Sequence, residues 1–123
     1  MRRLALVPLF LIAGCATYRD DLHRGQRFYT DNHYDQALSI WRVLEADLDS
    51  LSPAERSQYA YLRGMTDYRL SMREDARHWL ALAKVQNEMN PGSLDATAVE
   101  FLDKTLTELN AEAYRNLPGK GPE

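Results

Sequence analysis

The chain has 123 residues, with 15 basic and 18 acidic side chains, three histidines, one cysteine and a formal charge of −3. That length holds one domain with one modest core. The acidic balance argues against nucleic acid as a partner, which calls for a basic face, and a lone cysteine excludes an internal disulfide.

Arg2 and Arg3 open the chain, an apolar stretch runs from Leu4 to Ala13, and small residues precede Cys15. This is the layout of a secretory signal. It is too short to cross a bilayer, which takes roughly 20 apolar residues. Ile12-Ala13-Gly14-Cys15 resembles the lipobox of bacterial lipoproteins. The resemblance implies cleavage before Cys15 and covalent diacylglycerol and N-acyl lipid on that residue, with no other cofactor. Because Ala16 rather than an aspartate follows, it also implies anchoring at the periplasmic face of the outer membrane. The alternative is an ordinary signal peptide with a buried thiol behind it. Without residues 1–14 the chain keeps 13 basic and 18 acidic side chains, a formal charge of −5.

The expected organisation is a signal peptide at 1–14, the lipidated cysteine and a short tether at 15–19, a helical domain at 20–115 and a disordered Pro/Gly tail at 116–123. Such a tether, at roughly 3.5 Å per residue when extended, holds the domain within about 20 Å of the membrane.

Between Asp20 and Arg115 the only prolines are Pro53 and Pro91, and the only glycines are Gly25, Gly64 and Gly92. No stretch alternates apolar and polar residues long enough for a strand. The domain is therefore expected to be all-α, with helices near 19–30, 34–48, 54–70, 73–88 and 94–115. Asn32 with Asp35 marks a start by an amide cap and an acid in the first turn. Ser52-Pro53-Ala54-Glu55 combines a capping box with proline at the first helical position, and Ser71-Met72-Arg73-Glu74 repeats the box without the proline. Short connections make the first four helices two antiparallel hairpins. The fifth, with Leu94, Ala98, Phe101, Leu102, Leu106, Leu109 and Ala113 on one stripe, is expected to cap them.

The hairpins align at one constant offset, which brings Gly25 over Gly64, Ala37 over Ala76, Trp41 over Leu80 and Leu44 over Ala83. A glycine facing a larger side chain lets two helix backbones approach closely. Gly25, Phe28, Tyr34, Ala37 and Trp41 together resemble the tetratricopeptide repeat (TPR), a helix-turn-helix unit that normally recurs about every 34 residues. The second unit departs from the pattern, with Asp67 where the family prefers tyrosine and Arg73 in the place of Tyr34. The offset from Gly25 to Gly64 exceeds the usual repeat length, which places extra residues within Asp47 to Leu51. The resemblance implies two TPR-like hairpins plus a capping helix; the alternative is a generic five-helix bundle.

The resemblance also implies a groove on the first helices of the units, formed by Arg19, Leu22, Gln26 and Tyr29 with Gln58, Tyr61, Met65 and Tyr68. Of these, Gln26, Tyr29, Gln58, Tyr61, Met65 and Tyr68 are the candidate partner-binding residues. Tyrosine and methionine suit adaptable interfaces, although aromatic residues at helical spacing also build cores. Arg63, Arg69, Arg73, Arg77 and Lys84 form either a positive strip for anionic lipid or acidic peptide, or a solvated face.

His23, His33 and His78 make no metal-ligand pair on one helix, and with Cys15 acylated no thiolate remains for zinc. No phosphate loop or nucleophile motif appears, so no catalytic residue, metal or small-molecule substrate is expected. The expected function is a lipid-anchored periplasmic adaptor that binds another envelope protein or peptide. Similarity to small helical lipoproteins such as pilotins implies help in assembling an envelope complex such as a pilus or secretion channel. The alternative is a structural envelope lipoprotein that spaces or oligomerises without a peptide groove.

Overall fold

The computed structural model describes residues 13–119. The expected signal peptide therefore lies almost wholly outside the described residues, as do the Cys15 side chain and residues 120–123. Five α-helices follow one another, α1 Ala13–Thr30, α2 Tyr34–Leu44, α3 Pro53–Arg69, α4 Arg73–Met89 and α5 Ala96–Arg115, with a 3-10 segment Glu45–Ser50 after α2. No strand occurs among the described residues. The all-α expectation holds.

α1 begins before the expected tether ends, so residues 15–19 are helical. The reason is partly local and partly tertiary. No proline interrupts Ala13 to Arg19, Tyr18 already packs against the core, and the Arg19 guanidinium sits 3.3 Å from Glu55.

The start of α3 is built as expected: Ser52 Oγ accepts from the Glu55 N–H at 3.2 Å, and the Ser52 N–H donates to Glu55 Oε1 at 3.0 Å. Burial works to raise the Glu55 carboxyl, but the Ser52 hydrogen bonds and Arg19 hold it below the usual range. The other two expected caps do not form. Asn32 and Ser71 adopt positive φ, 63° and 62°, and each closes the preceding helix rather than opening the next. The His33 N–H donates to Phe28 O and the Asn32 N–H to Tyr29 O; at the equivalent positions of the second hairpin the Met72 N–H donates to Asp67 O and the Ser71 N–H to Tyr68 O. Both turns are thus the same left-handed closing motif, in which two amides satisfy carbonyls that the ending helix leaves open.

The hairpins share their closest contact as well. A Cβ on Gly25 would stand 2.5 Å from the Trp41 ring, and one on Gly64 would stand 2.6 Å from Leu80 Cγ. Both glycines are therefore required by close approach, at the same register in each hairpin. The extra residues between hairpins are taken up by the 3-10 segment, where Asp47 departs from helical geometry. Leu51 beyond it is buried.

The core runs through both hairpins and into α5: Leu22, Trp41, Leu44, Tyr59, Leu80, Leu102 and Leu109 are each no more than 2% exposed. α5 packs mainly along α4 and touches α3. Asp95 caps it by accepting from the Ala98 N–H at 2.8 Å, which moves its start to Ala96 from the expected 94.

Candidate partner-binding groove

Gln26 on α1, Gln58, Tyr61 and Leu62 on α3, residues 92–94 of the α4–α5 connection, and Asp95 and Ala98 at the head of α5 line one open groove of about 480 Å³. The volume is within the range of ordinary ligand sites. Its floor is apolar, since Leu62 and Leu94 are buried, and its rim carries two amides, a phenol and a carboxylate. Gln58 Nε2 donates to Ser93 O at 3.3 Å, which ties α3 to the connection. Burial pushes the Tyr61 phenol up to about 12, with Tyr29 and Asp95 nearby adding to the rise. Tyr61 therefore stays a neutral hydroxyl, able to donate and accept.

Three of the six candidate residues, Gln26, Gln58 and Tyr61, meet in this groove. Tyr29 stands beyond its α1 side, edge-on to Tyr34 at 5.6 Å between ring centroids. Burial raises the Tyr29 phenol and the Arg69 cation beside it partly offsets the rise. One candidate, Met65, is corrected, and a second, Tyr68, is partly engaged within the fold. Met65 is 3% exposed and belongs to the core, because α3 is the central helix and is packed against α1, α2, α4 and α5. Tyr68 is engaged by α5: its hydroxyl donates to Glu108 at 2.9 Å, and the Arg73 guanidinium lies 5.3 Å from its ring centroid. Of the flanking positions, Leu22 is buried and Arg19 is paired with Glu55. The fifth helix thus engages one end of the expected groove, where Tyr68 stays half-buried, and leaves the other open.

The positive strip is broken up, because acids from other elements meet three of its five cations. Arg63 is 6% exposed and pairs with Glu45 at 3.2 Å. Arg73 pairs with Glu108 and Glu112 at 3.4 and 3.0 Å, and Lys84 pairs with Asp103 at 2.9 Å. Arg69 lies 5.9 Å from the Tyr34 ring. Arg77 remains exposed beside Arg73, Glu74 and Glu112.

The sequence reading missed a buried polar network on the far side of α3. Arg63 Nη1 donates to Tyr59 Oη at 3.1 Å, Tyr59 Oη donates to Trp41 O at 2.7 Å, and Trp41 Nε1 donates to Thr66 Oγ1 at 3.0 Å. The Arg63 guanidinium also lies 5.1 Å from the Trp79 ring centroid. Asp67 is fully buried beside it, with Oδ2 at 3.4 Å from Arg63 Nε. That geometry is not a hydrogen bond, so both carboxylate oxygens lack a donor. The available signal was the departure of Asp67 from an aromatic preference and its spacing of four from Arg63.

No group of three or more histidine, cysteine or acidic side chains is placed to hold a metal ion among the described residues. None of their helices is long and apolar enough to cross a membrane. The groove lining pairs no nucleophile with a base; it offers hydrogen bonds, one aromatic face and an apolar floor. No protein-family model matches the chain, and neither the curated proteins nor the solved structures contain a match to it. The groove is therefore read from its own chemistry.

Proposed function

We propose that this chain is a lipid-anchored adaptor of a bacterial envelope, held at the periplasmic face of the outer membrane through Cys15, that binds an extended segment of another envelope protein. The binding site in this reading is the groove at Gln26, Gln58 and Tyr61, and the role is non-enzymatic.

The observation that carries the reading is that this groove stays open although α5 engages the hydroxyl of the neighbouring, half-buried Tyr68. An extended segment presents unpaired backbone amides and carbonyls, and the two glutamine amides and the neutral Tyr61 hydroxyl suit those groups. Leu62 and Leu94 offer a floor for one apolar side chain. The turn and the glycine contact that recur at one offset favour treating the hairpins as divergent TPR-like units. The lipobox and the run before it support the anchor.

The test is crosslinked capture from membranes of the producing cell with the native chain, a Gln58→Ala/Tyr61→Ala form and a Tyr68→Ala form, each checked for helicity by circular dichroism. The expected outcome is one defined partner whose capture falls about tenfold in the groove variant, as a loss of roughly 1.4 kcal/mol requires, and is unchanged by Tyr68→Ala. Undiminished capture by a folded groove variant rejects the groove. It would then favour the spacer role.

A further inference from the structure

Cys15 is separated from the packed body by very little chain. Tyr18 already packs against the core, so three peptide links keep the two Cα atoms within about 10 Å even when extended, and within about 5 Å along a helix such as α1. The exposed Arg19 side chain reaches Glu55 at 3.3 Å, and Glu55 is itself tied to the Ser52 amide. The anchor position thus lies on the helix whose Tyr18 packs against the core, close to the head of α3, rather than at the end of a long tether.

The antiparallel path decides what else lies at that end. The Glu45–Ser50 segment, the head of α3 and the α4–α5 connection all share it with the start of α1. Gln58 and Ser93 join two of these segments, and residues 52–54 and 89–93 line a common depression of about 530 Å³. This end exposes Met89, at 74% the most exposed large apolar side chain among the described residues, together with Pro53 and Pro91. The outer side of α1 exposes Arg19, Asp20, His23, Arg24, Arg27 and Thr30, with no large apolar side chain among them.

Resting on the reading of Cys15 as acylated, we infer that the protein docks end-on to a lipid bilayer, with Met89 and Pro91 against the headgroups and the Asn32 and Ser71 turns facing away. A methionine is flexible and uncharged, and adapts to an irregular apolar boundary. Exposed Asp49, Glu88 and Asp95 at the same end limit the contact to the headgroup layer, because a charge in hydrocarbon is costly. Gln58 and Tyr61 lie roughly 8–12 Å along α3 from its head. The groove therefore opens close to the bilayer, and the partner segment it takes is one that runs near the membrane surface.

Cys15 is the only cysteine, so in the acylated chain Met89→Cys, Arg27→Cys and Asp31→Cys each introduce one thiol for a donor dye. The experiment uses the full lipoprotein purified from membranes, reconstituted in phosphatidylethanolamine/phosphatidylglycerol vesicles with acceptor-labelled headgroups. Energy transfer is expected to be strongest from position 89, weaker from 27 and weakest from 31, the ends differing by about 25 Å, the length of the 17-residue α4. Equal transfer from 89 and 27, or strongest transfer from 31, overturns end-on docking. The mass of the Cys15 peptide separates the two failures. An unlipidated peptide rejects the anchor and the docking with it, whereas a lipidated protein with the wrong transfer order rejects the docking alone.

Discussion

Asp67 is the residue at which packing and charge conflict. It stands at the register of Phe28 in the other hairpin, yet it is a carboxylate with no hydrogen-bond donor among the described residues. Burial pushes its carboxyl up from 3.8 to about 6, an effect that the nearby Arg63 cation only partly offsets and that Asp75 reinforces. A carboxyl whose pKa is higher folded than unfolded holds its proton more tightly in the folded state. The stability linked to that proton is complete below about 3.8 and is lost as pH rises through about 6. The loss at pH 7 is on the order of 2–3 kcal/mol. Urea unfolding at pH 7 and pH 5 is expected to show the native chain gaining stability at the lower pH relative to Asp67→Asn, in which this dependence is absent. An Asn variant with the native pH slope would assign the dependence to other groups. The raised carboxyl was not legible in the sequence, since an Arg63/Asp67 spacing of four reads equally well as a solvated pair.

At the scale of elements, the helices were legible because their breakers are few and their apolar stripes continuous. Four of the five expected spans agree with the structure within two residues at their C-terminal ends, and α2 gives way to a 3-10 segment after Leu44. The cap assignments divide instructively. Ser52 is a true capping box because Pro53 forces the chain to start afresh. Ser71 has the same sequence signature but follows α3 directly, and there the open carbonyls at the end of the preceding helix compete for the turn and win. The left-handed conformation of Ser71 costs about 1 kcal/mol for a residue with a Cβ. Ser71→Gly is therefore expected to raise the urea midpoint slightly, by up to about 0.5 kcal/mol of stability after the added freedom of the unfolded chain is counted. A capping box at Ser71 predicts the reverse, little change or a small loss with glycine.

For the whole molecule, α5 decides both completeness and access. Leu102, Leu106 and Leu109 are buried against the hairpins, and the ion pairs Lys84–Asp103 and Arg73–Glu112 along its edges are exposed and add little. Two helical hairpins alone fall short of the three or so units a repeat stack needs. A chain ending at Asp95 is expected to lose cooperative urea unfolding while keeping part of its helical circular dichroism signal. Cooperative unfolding of that shorter chain would show that the hairpins form a self-sufficient core.

The sequence by itself determined the helices, the two-hairpin order and the constant offset between the hairpins, because these follow from local propensity and from the period of apolar residues, whereas the close approach that requires glycine at 25 and 64 is a contact between helices. Only the tertiary structure decided which candidate groove residues reach solvent. Gln26 and Met65 occupy the same register in the two hairpins, yet α1 is an edge helix and α3 is enclosed, so one side chain lines the open groove and the other fills the core. The course of α5 decided the rest: its acids pair with Arg73 and Lys84 of α4 and hold the Tyr68 hydroxyl, while its head stops short of Tyr61. Register is a property of the chain, but exposure depends on which helix arrives last to cover it.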